Sequence, residues 1–182
     1  PIINEYYAGS EGIGMTLIKA EDWLDHPGSV GKAIHGRLHV CNPDGEEVPA
    51  GQDGLLFFEN ENIPTYHNDP DKTREATWVS PEGEHFVRTG DMGRFDEDGF
   101  LHLLDRKKDM IISGGFNIYA ADLEAVLRQH PDVTDTAVIA IPSDAWGETP
   151  LGFVVLASGS SATAEGVLEF ANARLGKTQR IS

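Results

Sequence analysis

The sequence predicts an α+β fold in which a strand-rich first half precedes a smaller half of alternating strands and helices. Short apolar runs separated by turn residues fill the first half. Apolar residues at helical spacing appear in two later segments, 121–129 and 164–175. A charged cluster at 105–109, with the sequence DRKKD, separates the two patterns. We therefore expect two parts that meet near this cluster.

Antiparallel hairpins and short helices are expected in the first half. Turn residues at 42–45 and 97–99 lie between pairs of apolar runs, which is typical of hairpins. Asp69 and Pro70 form a helix start, with Asp as the cap and Pro in the first turn. The predicted strands are Leu38–Cys41, Leu55–Glu59, Gly93–Asp96 and Phe100–Leu104, and the predicted helices are Glu21–Asp25 and Asp69–Ala76.

The second half is expected to form a small sheet with helices covering one face. Leu123, Val126 and Leu127 share one helical face, and Val167, Leu168 and Ala171 share another. The predicted strands are Met110–Ile112, Thr136–Ile141 and Gly152–Leu156, and the predicted helices are Ala121–Gln129 and Ala164–Leu175.

Composition excludes several classes of function. With 30 acidic and 14 basic residues, the net charge is −16, which argues against a nucleic-acid partner. No apolar run reaches about 18 residues, so we expect no transmembrane segment and a cytoplasmic protein. The single cysteine, Cys41, is assigned no redox role, and the seven histidines lack the ligand spacing of a zinc site. The oligomeric state is not predicted.

Three segments carry the functional signal: YAGSEG at 7–12, RTGD at 88–91, and LDRKKDMIISGGFNIYAADL at 104–123. The first two are expected at transitions from strand to loop. Taken alone, the third segment also fits a charged turn followed by a Ser-Gly-Gly turn. The order of the three segments favours a common site instead.

In order and spacing, these segments resemble the adenylate-forming superfamily, which includes acyl-CoA synthetases, firefly-type luciferases and the adenylation domains of peptide synthetases. Flanking sequences such as HPDVTDTAVIAIPSDAWGE resemble the acyl-CoA synthetase branch. The resemblance implies a distorted antiparallel β-barrel subdomain, at the end of the large adenylation domain, followed by a small α/β lid. It places the barrel at 1–107, the lid at 108–182, and the hinge at Lys108; a solvated charge is the alternative reading of Lys108.

The resemblance also implies a binding site for ATP and Mg²⁺. It assigns Tyr7 to adenine, Ser10 to phosphate and Glu11 to catalysis as the ligand of Mg²⁺. The segment has Ala8 where Gly is usual and Ser10 where Thr is usual. Both departures keep the chemistry, because the hydroxyl and a small side chain are retained.

Further residues are implied for the ribose and for coenzyme A. Asp91 accepts hydrogen bonds from the ribose hydroxyls and Arg106 is its second partner, with ion pairing inside the 105–109 cluster as the structural alternative. Ser113, Gly114 and Gly115 would line the channel for the pantetheine arm of coenzyme A.

Two parts of the resembling enzymes are missing from this sequence. A Gly-rich phosphate loop would precede Pro1, which itself is expected inside a core strand. The lysine that acts in adenylation would follow Ser182, and Lys177 is not that residue because it is expected in the tail of a helix and lacks the preceding motif. We therefore expect a cut or proteolysed piece of a longer synthetase that is inactive alone.

The expected function is that of a fragment of an ATP-dependent, AMP-forming acid–CoA ligase whose substrates are a small carboxylic acid, fatty or aryl, with ATP and coenzyme A. Two alternatives remain: an adenylation domain that loads a carrier protein, and a non-catalytic module that binds a nucleotide or coenzyme A. The acid itself is not predicted, because its pocket lies mainly upstream.

Overall fold

The chain divides into two compact units, Pro1–Lys107 and Lys108–Ser182, in a computed structural model that describes residues 3–61, 63–80 and 83–182. Pro1, the expected interior of a core strand, lies outside the described residues. The strands of the first unit are β1 (Asn4–Ala8), β2 (Met15–Lys19), β3 (Ser29–His35), β4 (Arg37–Cys41), β5 (Gly54–Glu59), β6 (Thr77–Val79), β7 (His85–Phe95) and β8 (Leu101–Arg106), and its helices are α1 (Ala20–Asp25) and α2 (Pro70–Ala76). The second unit contains β9 (Ile111–Ser113), β10 (Phe116–Ile118), α3 (Ala120–Leu127), β11 (Val133–Ser143), β12 (Gly147–Leu156) and α4 (Ala164–Asn172).

The sheet of the first unit is antiparallel and open. Its strands follow the order β1-β2-β3-β8-β7-β5-β4, and β6 pairs with β7. A closed barrel requires hydrogen bonds between the first and last strands. Within the described residues no pairing joins β1 to β4. The predicted α+β class with antiparallel sheets is therefore confirmed, but the sheet does not close into a barrel.

The predicted hairpins and both short helices of the first unit are present. Strands β4 and β5 pair from Arg37 opposite Glu59 to Cys41 opposite Leu55. The α2 helix begins as its sequence predicts, because the Asp69 carboxylate accepts a hydrogen bond of 2.9 Å from the Lys72 backbone N–H. None of the helices that the structure describes is long and apolar enough to cross a membrane.

Strands β2 and β3 were not predicted, because their pairing depends on a glycine in an unusual conformation. Gly31 has a φ of +92°, and a Cβ atom at this position would lie 1.9 Å from the carbonyl oxygen of Leu17. Only glycine fits such an approach of two backbones. Sequence patterns that expect side chains at every strand position therefore miss this pair.

The second unit is a four-stranded antiparallel sheet, in the order β10-β9-β12-β11, packed against two helices. Its core joins apolar residues from the helices and from three of the strands: Ile111, Ile118, Leu123, Leu127, Val138, Val167 and Ala171. Helix α4 ends at Asn172, three residues before the predicted end. Lys177 therefore lies beyond the helix, which corrects its expected place in the helix tail.

Candidate active site

A bulge in β7 determines where the RTGD segment lies. Strand β7 pairs with β5 at Arg88 and again at Met92, whereas the partners Phe57 and Leu55 are only two residues apart. Three residues of β7 thus face one residue of β5, which is a widened β-bulge. The Arg88–Asp91 segment lies inside a long strand, which corrects the prediction of a transition from strand to loop.

Local hydrogen bonds hold the bulge. The Thr89 hydroxyl donates to the carbonyl of Leu56 at 3.2 Å and accepts from the backbone N–H of Asp91 at 3.1 Å. Gly90 has a φ of +81°, a conformation that favours glycine. Its carbonyl accepts from the backbone N–H of Lys107 at 2.9 Å. Thr89, which the sequence analysis assigned no role, therefore positions the backbone beside Asp91.

Three of the predicted site residues meet around the Asp91 carboxylate. The Tyr7 hydroxyl donates to Asp91 Oδ2 at 2.6 Å, although the two residues are 84 positions apart. Arg106 lies opposite Asp91 in the β7–β8 pairing, and its Nε is 3.4 Å from Asp91 Oδ1. Burial raises the pKa of Tyr7, and the hydrogen bond to Asp91 raises it further. The phenol therefore remains a donor at neutral pH.

The ring of Tyr7 is anchored in the core. It is half-buried and stacks beside Phe58, with ring centroids 6.3 Å apart and an angle of 23° between the planes. It also packs against the apolar clusters that contain Ile13 and Leu56. Tyr7 thus links the core to the Asp91 carboxylate, and its contact with adenine stays a prediction.

Ser10 and Glu11 lie in an exposed turn directly after β1. The turn closes with a hydrogen bond of 3.1 Å from the Gly12 N–H to the Gly9 carbonyl. Glu11 borders a cavity of about 320 Å³ that is also lined by Thr89 of the bulge. The described residues contain no group of three or more His, Cys, Asp or Glu side chains that could hold a metal. A single exposed carboxylate nevertheless fits Mg²⁺, which proteins bind through one or two carboxylates together with substrate phosphates.

Ser113, Gly114 and Gly115 lie together in the second unit, at the end of β9 and in the turn before β10. Both glycines have positive φ, 56° and 84°. The Gly114 N–H donates to the carbonyl of Trp146 at 2.8 Å, and a Cβ at Gly114 would lie 2.9 Å from the Trp146 ring. Of the two glycines, Gly114 makes this close approach, since no atom of the described residues lies within 4 Å of the position of a Cβ at Gly115. The role of these residues in lining a channel for coenzyme A stays a prediction.

A cavity of about 300 Å³ adjoins this turn within the second unit. Ser113 and Gly114 line it together with Trp146, Lys177 and Arg180. Trp146 is 61% exposed, which is unusual for so large an apolar side chain. The aromatic ring and the two cations were not predicted as site residues, although an exposed Trp beside basic residues suits stacking on a base and binding of phosphate.

Lys108 is the first residue of the second unit and is exposed. The boundary between the two compact units lies directly before it. Its role as a hinge, and the assignment of the two units as the end of an adenylation domain and a lid, stay predictions.

Known proteins resemble this chain over nearly its whole length. Residues 122–182 match the model of the AMP-binding enzyme C-terminal domain family. The 2-succinylbenzoate–CoA ligase of Bacillus cereus (strain ATCC 10987 / NRS 248) is 35% identical over 178 residues, which are 97% of this chain and 36% of the relative. The corresponding ligase of Bacillus mycoides (strain KBAB4) is 34% identical over the same coverage. The chain thus spans about a third of the length of the curated relatives it matches.

Two solved structures also match nearly the whole chain. ATP-bound MatB from Rhodopseudomonas palustris has a TM-score of 0.82 and 32% identity, over 98% of this chain and 35% of that one. The o-succinylbenzoate CoA synthetase MenE from Bacillus subtilis, in complex with its acyl-adenylate intermediate, has a TM-score of 0.82 and 29% identity, over 97% of this chain and 35% of that one. With the family match, these similarities show that the chain belongs to the adenylate-forming superfamily.

Proposed function

We propose that the chain is the C-terminal part of an AMP-forming acid–CoA ligase. The longer protein would join a carboxylic acid to AMP, releasing pyrophosphate, and would then transfer the acyl group to the thiol of coenzyme A. The observation that carries the proposal is that Tyr7 and Arg106 both contact the carboxylate of Asp91. These residues come from three strands and match the positions that the resemblance assigns to the nucleoside.

The geometry leaves Asp91 able to bind a ribose. A carboxylate offers about four acceptor sites on its two oxygens. The Tyr7 hydroxyl occupies one site on Oδ2, and Arg106 lies beside Oδ1. Each oxygen therefore retains a site for one ribose hydroxyl. Tyr7 and Arg106 also fix the orientation of the carboxylate, so little rotational freedom is lost when the nucleoside binds.

The second unit supports an acceptor that carries a nucleotide. Trp146, Lys177 and Arg180 line one cavity with Ser113 and Gly114. An aromatic face and two cations are the groups that recognise a base and phosphates. Coenzyme A contains both, beside its thiol. Support for an aryl acid comes only from the relatives, which are named for 2-succinylbenzoate.

Binding of AMP to this chain tests the nucleotide site. We expect added AMP to shift the backbone amide resonances of Tyr7, Asp91 and Arg106 in ¹⁵N-labelled protein. Asp91→Asn keeps the size of the side chain but removes its charge, so it should weaken AMP binding by about tenfold, or about 1.4 kcal/mol. Asp44→Asn, at an exposed turn, is the matched control and should bind AMP normally. Equal binding by both variants would contradict the proposed site.

The reaction requires the longest polypeptide that carries this chain. Release of AMP is measured with 2-succinylbenzoate and with fatty acids, each with and without coenzyme A. Release of AMP that depends on coenzyme A supports the ligase. Pyrophosphate release without a coenzyme A product would favour a domain that loads a carrier protein. Absence of both products from an intact polypeptide that binds AMP would favour a non-catalytic binding module.

A further inference from the structure

The side chain of Asn60 holds the segment that directly follows Glu11. Asn60 is the first residue after β5, and its backbone N–H donates to the carbonyl of His85, the first residue of β7, at 3.0 Å. Its side-chain Nδ2 donates to the carbonyl of Ile13 at 3.0 Å and lies 3.5 Å from the carbonyl of Gly12. Asn60 therefore ties the turn that carries Glu11 to the sheet, although the two lie in distant parts of the sequence.

This segment is packed against the sheet as well as hydrogen-bonded to it. Ile13 is 5% exposed and belongs to an apolar cluster with Phe58 of β5 and Val87 of β7. A Cβ at Gly14 would lie 2.1 Å from the ring of Phe58, so only glycine lets the segment run so close to β5. The Asn60 amide completes the attachment, because it satisfies the backbone carbonyl of the buried Ile13.

The turn itself is compact, so its shape sets the position of the Glu11 carboxylate. Glu11 Oε2 lies 3.0 Å from the position that a Cβ would take at Gly9, and Ile13 Cγ1 lies 3.2 Å from the same position. The carboxylate and the anchored Ile13 side chain thus lie over one glycine. Because Glu11 is two residues from Ile13, a shift of the Ile13 backbone would also displace the carboxylate.

The placement of Glu11 matters because its side chain is exposed and borders the cavity of about 320 Å³ beside the β7 bulge. Mg²⁺ requires nearly ideal octahedral geometry, so a displaced carboxylate is a poor ligand. A backbone that is already fixed reduces the conformational entropy that is lost when the carboxylate binds an ion. Asn60 is half-buried and supplies this fixed backbone.

We propose that Asn60 is a positioning residue that orients Glu11 toward a magnesium ion bound together with nucleotide phosphates. This inference rests on the proposed function, in which Glu11 binds the ion beside the phosphates of ATP. Asn60 does not bind the ion itself; it acts through the backbone at Ile13. It lies outside the three motif segments and was assigned no role from the sequence.

The test compares ATP binding with and without Mg²⁺ in the longest polypeptide that carries this chain. Isothermal titration calorimetry gives the dissociation constant of ATP in excess Mg²⁺ and in EDTA, and the ratio of the two constants measures the contribution of the ion. Asn60→Ala should reduce this contribution at least about threefold, because a metal ligand that loses its support binds the metal less well. The dissociation constant of AMP, measured in EDTA, should stay within about twofold of the original and shows that the variant is folded.

The same measurement in a Glu11→Gln background shows whether Asn60 acts through Glu11. In that background Asn60→Ala should cause no further loss of the Mg²⁺ contribution, because the carboxylate that it orients is absent. Gly9→Ala leaves Asn60 intact but places a Cβ 3.0 Å from Glu11 Oε2, so it should also reduce the Mg²⁺ contribution. An unchanged contribution in Gly9→Ala would contradict the dependence on the position of the carboxylate.

Asn42→Ala is the matched control for a general loss of stability. Asn42 also holds a turn of the first unit, because its Oδ1 accepts from the backbone N–H groups of Asp44 and Glu46, each at 3.0 Å. Its replacement should leave the Mg²⁺ contribution within about twofold of the original. An equal reduction by Asn42→Ala, an equal effect of Asn60→Ala in both backgrounds, or ATP binding that does not depend on Mg²⁺ would overturn the proposal. Normal AMP binding without an effect of Asn60→Ala refutes this inference alone, whereas failure of the original protein to bind AMP refutes the proposed function and this inference with it.

Discussion

Removing the hydroxyl of Tyr7 tests whether its contact with Asp91 holds the first unit together. Tyr7→Phe keeps the ring and its stacking beside Phe58, and it removes only the 2.6 Å hydrogen bond to Asp91 Oδ2. A hydrogen bond to an ionised group contributes about 1.5–3 kcal/mol. The Asp91 side chain is 19% exposed, so solvent offsets part of the loss. We therefore expect the free energy of unfolding to fall by about 1.5 kcal/mol, or roughly 6 °C in Tm for a unit of this size.

The assay is urea denaturation followed by tryptophan fluorescence. A Trp146→Phe background removes the tryptophan of the second unit, so the signal comes from Trp23 and Trp78 of the first unit. Tyr6→Phe is the matched control, because Tyr6 is the adjacent residue and is 63% exposed. It should change the free energy of unfolding by less than about 0.5 kcal/mol.

A double-mutant cycle isolates the contact itself. The free energies of Tyr7→Phe, Asp91→Asn and the double variant give the coupling between the two side chains, which we expect to be about 1 kcal/mol or more. A coupling below about 0.3 kcal/mol, within the usual error of additivity, would refute the reasoning. It would mean that water replaces the hydroxyl without loss.

The pH dependence of the free energy of unfolding tests the same contact independently. Because the pKa of Tyr7 is raised in the folded state, the unfolded chain releases this proton first as the pH rises above about 10. The contribution of Tyr7 is thus complete below that pH and is lost as the pH rises through the folded-state pKa. The stability difference between the original protein and Tyr7→Phe should shrink over this alkaline range, and a constant difference would contradict the assigned contact.

Three further predictions concern other parts of the chain. Gly114→Ala should destabilise the second unit by about 1–3 kcal/mol more than Gly115→Ala, because only a Cβ at Gly114 meets the Trp146 ring, at 2.9 Å. Trp146 fluorescence during urea denaturation measures the stability of both variants. Equal losses of stability would contradict the contact with Trp146. Leu123→Ala should cost about 2–5 kcal/mol in the same assay, since Leu123 is fully buried, and a loss under about 1 kcal/mol would exclude its place in the core. Cys41 is buried and burial raises the pKa of its thiol to about 11, so its alkylation by iodoacetamide at neutral pH should be slow in the folded protein and fast in urea; equal rates would show that the thiol is accessible.

Local signals in the sequence predict much of this fold because the forces involved act over a few residues. Asp69 and Pro70 start α2 as expected, since a capping carboxylate needs only the N–H three residues later. The alternation of Leu38–Cys41 and Leu55–Glu59 gives the β4–β5 hairpin. The end of α4 was placed three residues too late, because apolar spacing continues to Leu175 although the helix ends at Asn172.

The candidate site residues were predicted from their motifs, but the sequence did not indicate how they are arranged. Tyr7 and Asp91 were assigned to adenine and ribose, and nothing in the sequence indicated that one donates a hydrogen bond to the other. Thr89 and Trp146 stood in the quoted segments without a role. Their contacts, to the Asp91 backbone and to Gly114, depend on which strands lie side by side.

The sequence by itself therefore determined the α+β class and the hairpins and helices, and its motifs carried the resemblance to one family. Tertiary structure alone decided that the sheet stays open, that RTGD forms a bulge within β7, and that Asn60 donates to the carbonyl of Ile13. The physical reason is the range of the interactions. Turns and caps are set by neighbours in sequence, whereas strand register and the contacts of distant side chains are set by backbone pairing between residues as far apart as Tyr7 and Asp91.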